Sequence, residues 1–148
     1  MPWLPKKCVV VPFDFSEQSA RGLETAGEMV DDVAHLHVLH VLPKIPVAEP
    51  GVVWTSIDDE ARSRHAEMAF REGFAASRFC RADFHVRIGD AGSEIAKFAE
   101  QLEADLIVMP SHGRSGIPRV LIGSVAERVL RLAHCPVLIL RGLSRLHD

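Results

Sequence analysis

Asp105-Leu106-Ile107-Val108-Met109-Pro110-Ser111-His112-Gly113-Arg114-Ser115-Gly116, running on to Ile122-Gly123-Ser124-Val125, passes from an apolar segment through small residues into an amphipathic segment. Leu106 to Met109 reads as a buried strand. Pro110, Gly113 and Gly116 mark a loop. Val125, Val129 and Leu132 recur at helical spacing and predict one helical face. Ser124 has the side chain of an N-cap, and Glu127 lies three residues on, as in a capping box. Strand, loop and helix start in that order form an ordinary connection. They also form an anion site, because the first N–H groups of a helix are unpaired and carry partial positive charge. The local pattern leaves both readings open.

The same alternation extends through the chain. Lys7 to Pro12 is valine-rich and reads as a buried strand. Ser16 is a plausible N-cap for a helix carrying Ala20, Leu23, Ala26 and Val30 on one side. His35 to Val41 predicts a second strand. Pro43 to Gly51 predicts a loop, with Trp54 just beyond it. A long charged helix is expected over Ser56 to Ala76, then a strand over Phe84 to Ile88. Gly89 and Gly92 bracket a turn before a helix from Ser93 to Leu102. Val137 to Leu140 is a fifth strand. Strands alternating with helices predict an α/β fold, a parallel sheet with helices on both faces. In such sheets ligands sit at the carboxyl ends of strands, where the order reverses.

Several blocks resemble the universal stress protein family. Its C-terminal signature is G-x2-G-x9-G-[ST]. Gly113 matches the second glycine, and Gly123-Ser124 follows after Arg114 to Ile122. Pro110 stands at the first glycine position. Val10-Val11-Pro12-Phe13-Asp14-Phe15-Ser16 and Cys135-Pro136-Val137-Leu138-Ile139-Leu140 also resemble the family, and the blocks occur in its order along nearly the whole chain. The resemblance implies an adenine nucleotide alpha hydrolase-like fold, a five-stranded parallel sheet of order 3-2-1-4-5. It implies a pocket for ATP with magnesium at the carboxyl ends of strands 1 and 4. Asp14 would contribute to that pocket, and the backbone at Val41 would meet the adenine edge. Pro12 and Met109 would line it. Phosphates would lie against Gly113, Gly123, Ser124 and Val125. It further implies a homodimer through the last strand, Pro136 to Leu140, whose unpaired edge needs a partner.

Two residues depart from the pattern. Pro110 has no N–H and a fixed φ. Phe13 is larger than the residue usual between the proline and the aspartate; its ring either packs in the core or intrudes on the base site. These departures keep a rival reading open, a nucleotide-free dimer acting through protein contacts.

Composition narrows the other classes. A chain of 148 residues, 47% hydrophobic and 25% charged, fits a single globular domain over residues 1–148. A formal charge of −3 gives no ground for nucleic acid or an anionic membrane as partner. No apolar run is long enough to span a bilayer, and Met1 to Lys7 lacks a signal peptide's apolar core, so a cytoplasmic location is expected. Cys8, Cys80 and Cys135 are dispersed, without metal or redox spacing. The loop is not a Walker A motif: Gly116 and Gly123 only roughly match its glycine spacing, and no lysine follows Gly123. It has no G-x-S-x-G frame either. His112 is the best candidate for chemistry, with no evident residue to activate water, so at most a slow magnesium-dependent ATPase is expected. His35 and His37 are expected on one strand face with no third ligand, and no metal site is assigned.

Overall fold

The computed structural model describes residues 2–45, 52–112 and 122–141, with backbone only for 52–57. Strand β1 (Val9–Pro12) is buried at every position, as a strand covered on both faces must be. Ser16 caps α1 (Glu17–Gly27), its Oγ accepting from Ser19 N–H at 3.1 Å. Replacing Ser16 by alanine leaves that amide without its acceptor. The expected loss is about 1 kcal/mol, read as a lower urea midpoint at unchanged slope.

β2 (Leu36–Leu42) follows a 3-10 turn at Val33–His35. His35 therefore precedes the strand and does not share a strand face with His37. α2 (Val52–Gly73) begins earlier than Ser56 and stops before Ala76. β3 (Asp83–Ile88) leads to α3 (Ala91–Leu102), which starts ahead of Ser93 because Asp90 is its N-cap, accepting from Ser93 N–H at 3.0 Å. β4 (Leu106–Pro110), α4 (Ser124–Leu132) and β5 (Val137–Leu140) complete the order.

The strands form one parallel sheet of order β3-β2-β1-β4-β5, the order the family resemblance implies. Side chains alternate across it. Val9, Val11, Leu36 and Val38 pack on Leu23 and Ala26 of α1 and Phe70 of α2. Val10, Leu39, Ile107 and Met109 pack on Ile95 and Phe98 of α3 and on Ala126 and Val129 of α4. Helices cover both faces, and the sheet's outer strands are β3 and β5. Among the described residues, no helix is long and apolar enough to cross a membrane.

Helix α4 corrects two expectations. Its buried stripe is Ala126 and Val129, not Val125, Val129 and Leu132: Val125 is 38% and Leu132 42% exposed. Small Ala126 lets the helix sit close to the sheet and rotates the larger residues outward. Its N-cap is Gly123, with no side-chain cap, so Ser124 is the first helical residue. Glu127 pairs with Arg131 at 2.6 Å.

Candidate functional site: the crevice at the carboxyl ends of β1 and β4

β1 and β4 are neighbours, in register at Val9↔Leu106 and Val10↔Ile107. The pairs end there, although β1 runs on to Pro12 and β4 to Pro110. Ser111 N–H donates to Leu140 O at 2.8 Å, toward β5. Backbone groups alternate sides along a strand, so the N–H that Pro110 lacks falls on the β1 side. Pro110 therefore offers no donor toward β1 at the carboxyl end of β4. The Pro110 ring is buried against α1, its Cδ 3.8 Å from where a Cβ on Gly22 would stand.

The β1–α1 loop forms one wall. Asp14 N–H donates to Ser19 Oγ at 3.3 Å, and Asp14 Oδ1 accepts from Ser16 N–H at 3.0 Å. The carboxylate thus shapes the loop just ahead of the helix cap. Phe15 turns the chain with φ of 66°, left-handed for a non-glycine residue. Its ring is held 5.0 Å from both Phe13 and His40. Phe13 settles its two readings. It is 5% exposed, packed edge-on to Phe70 and Phe74 in the α1/α2 core. Its backbone is fixed as well, N–H to Leu39 O at 2.8 Å and C=O to His40 Nδ1 at 2.7 Å.

Val41 stands near the end of β2. Leu39 O faces β1, and Leu42 O accepts from Gly89 N–H on the β3 side. By alternation, the N–H and C=O of Val41 point toward the β1 side, past the last residue of β1. Met109 is 4% exposed and belongs to the α3/α4 core.

The second wall is the start of α4. Gly123 N–H donates to Ser111 O at 2.6 Å. A Cβ on Gly123 would meet that same carbonyl oxygen at 2.9 Å, so only glycine permits this approach. The first turn of α4 therefore begins at the tip of β4 with no side-chain cap, and Ser124 and Val125 stand exposed there. His112 lies alongside, its Nδ1 3.2 Å from Ser111 Oγ, while its Nε2 is buried without a hydrogen-bond partner among the described residues. Uncapped helix N–H groups, a glycine that excludes a side chain and an unsatisfied imidazole nitrogen form a setting suited to an anion. Pro12, Asp14, Val41, Pro110, Gly123, Ser124 and Val125 surround this end of the sheet. Gly113, Arg114 and Arg119 lie outside the described residues.

Burial, then the Asp105 carboxylate, raises the thiol pKa of both Cys8 and Cys135, which leaves them poor nucleophiles.

Known proteins fit this architecture. The model of the universal stress protein family matches residues 6–141. A universal stress protein of Methanocaldococcus jannaschii is 33% identical over 91% of this chain and 82% of its own length. The structure of universal stress protein UspA from Lactobacillus plantarum superposes with a TM-score of 0.71 at 26% identity, over 92% of this chain and 99% of that one. A universal stress protein solved in complex with cAMP shares the fold, with a TM-score of 0.59 at 24% identity over 92% of this chain and 97% of that one. Strand order, the glycine-started α4 and a family match along nearly the whole sequence lead to one conclusion: this chain belongs to the universal stress protein family.

Proposed function

We propose that this chain binds ATP with magnesium at the carboxyl ends of β1 and β4, and that the bound state acts as a switch in a cytoplasmic homodimer serving the stress response. The observation that carries this reading is the close approach of Gly123 to Ser111 O, which brings the uncapped N-terminus of α4 to the tip of β4. Phosphates would lie against Gly113, Gly123, Ser124 and Val125. The adenine edge would meet the peptide of Val41, with Pro12 and Met109 beside it, and Asp14 would serve the pocket from the opposite wall. The relative solved with cAMP supports an adenine nucleotide as ligand of this fold. Phe13, turned into the core, does not obstruct the site. Binding rather than turnover is the function in this reading.

The dimer reading rests on β5, an outer strand whose four residues are all half-buried, and on Leu130 and Leu132 of α4, 47% and 42% exposed. Pairing two copies edge to edge would satisfy the strand. Pro110 favours the rival, a nucleotide-free dimer working through protein contacts, because it removes a donor at the crevice.

A thermal melt with and without magnesium-ATP, with sedimentation on the same sample, separates the readings. ATP at a hundredfold above its dissociation constant adds about 2.7 kcal/mol, roughly 5–10 °C for a chain of this size. Ser124→Ala keeps the helix, since its hydroxyl caps nothing, and reduces the shift. A dimer with no shift, and no nucleotide in the purified protein by mass spectrometry, favours the rival. A monomer sinks the β5 interface.

A further inference from the structure

A histidine–carboxylate cluster lies at the other end of the sheet. β2 and β3 are in parallel register with His37 opposite Asp83 and Leu39 opposite His85. Residues paired this way project to one face, so His37, Asp83 and His85 stand together on the α3 side, where Leu39 joins the core. The His85 ring packs 4.8 Å from that of Phe98, which is 3% exposed. The rings of His37 and His85 are 5.7 Å apart and inclined by 33°. His37 Nδ1 is 3.5 Å from Asp83 Oδ2, and one ligand atom from each residue lies within 4.8 Å of the other two.

We propose that His37, Asp83 and His85 bind a divalent transition-metal ion, zinc being the best fit. Tetrahedral zinc with bonds of about 2.0–2.1 Å spaces its ligands roughly 3.3 Å apart. The His37–Asp83 edge already has that length, and side-chain rotation closes the rest. His37 Nδ1 and His85 Nε2 are buried and have no hydrogen-bond partner among the described residues. A buried ring nitrogen without a partner is costly, and a shared cation satisfies both. Arg87, two residues on from His85 in β3, is engaged elsewhere: it donates to Gln101 Oε1 at 2.8 Å and lies over the Phe98 ring. The Asp83 side chain is 62% exposed and gives an ion its way in. Two imidazoles and one carboxylate leave a fourth position for water, the arrangement of open zinc sites. The cluster sits at the amino ends of β2 and β3, away from the nucleotide crevice, so it stands or falls independently of the reading above.

The full chain, stripped with a chelator, is titrated with zinc against a chromophoric competitor. Stoichiometric uptake is expected. Asp83→Asn and His85→Gln should each weaken it by more than the roughly 10–100-fold that losing an outer-shell partner costs. Cobalt in place of zinc should give visible bands of a four-coordinate nitrogen and oxygen site, with no thiolate charge-transfer band from Cys8, Cys80 or Cys135. Circular dichroism checks that each variant is folded. Asp83 is exposed, so its variant decides the matter if His85→Gln does not fold. No uptake, uptake unchanged in Asp83→Asn, or a thiolate band would overturn the site. In that case His37 and Asp83 form an ion pair only.

Discussion

Phe70→Ala is expected to destabilise the fold by about 3–5 kcal/mol, the range for removing a fully buried phenylalanine. Phe70 has no exposed surface. Its ring stacks on Phe84 of β3 at 4.6 Å and lies 5.5 Å from Phe13 and 4.7 Å from Phe74. Aromatic pairs add about 0.5–1.5 kcal/mol each beyond burial. This single ring therefore ties α2 to the outer strand β3 and to the β1–α1 loop. Ala66 is the other buried hydrophobic residue described in α2, and it is too small to take over. The loss is large against a total stability of about 5–15 kcal/mol. Urea unfolding should show it as a fall in midpoint, with Phe70→Leu losing less because it keeps most of the volume. The variant should also bind ATP more weakly, since Phe13 carries the loop that positions Asp14. A loss under about 1 kcal/mol would mean that the ring is not the anchor of α2.

Gly123→Val should have the second largest effect, and a double one. The new side chain meets Ser111 O at 2.9 Å, and the Cα of His112 is 3.6 Å away, so the obstacle is backbone that cannot turn aside. The first turn of α4 must move off the tip of β4, breaking the Gly123 N–H bond to Ser111 O at 2.6 Å. Overpacking of this kind costs about 1–3 kcal/mol, and the ATP-induced shift in melting temperature should vanish. Because the variant alters fold and ligand site together, it is read beside Ser124→Ala, which removes a hydroxyl and leaves the turn in place. Gly123→Val that retains the full ATP shift would place the phosphates elsewhere.

The strands and the first helix cap were legible because each depends on neighbours in sequence. Short apolar runs bounded by proline and charge became β1 and β4, and Ser16 caps α1 as its position predicts. The β1–β4 adjacency came from the family resemblance, since local patterns carry no strand order. What stayed hidden depends on tertiary approach. Ser124 has the better capping side chain, but Gly123 takes the N-cap position because only glycine fits beneath Ser111 O. Val125 and Leu132 look core-facing by spacing, yet Ala126 sets the contact with the sheet. Phe13 had two plausible directions until Phe70 and Phe74 fixed one. His37 lacked a third ligand because the register bringing Asp83 and His85 beside it joins segments far apart in the chain. The signal in the sequence was the alternation of Asp83, His85 and Arg87 on one face of a strand, read together with His37.

Hydrogen exchange with and without magnesium-ATP tests the central claim most directly, because it reports location as well as binding. Nucleotide at the carboxyl ends of β1 and β4 should slow exchange in the loop around Asp14, at Val41 and in the first turn of α4 from Gly123 to Val125. The amino ends of β2 and β3 should be unaffected. No protection anywhere, or protection confined to other surfaces, would contradict the account.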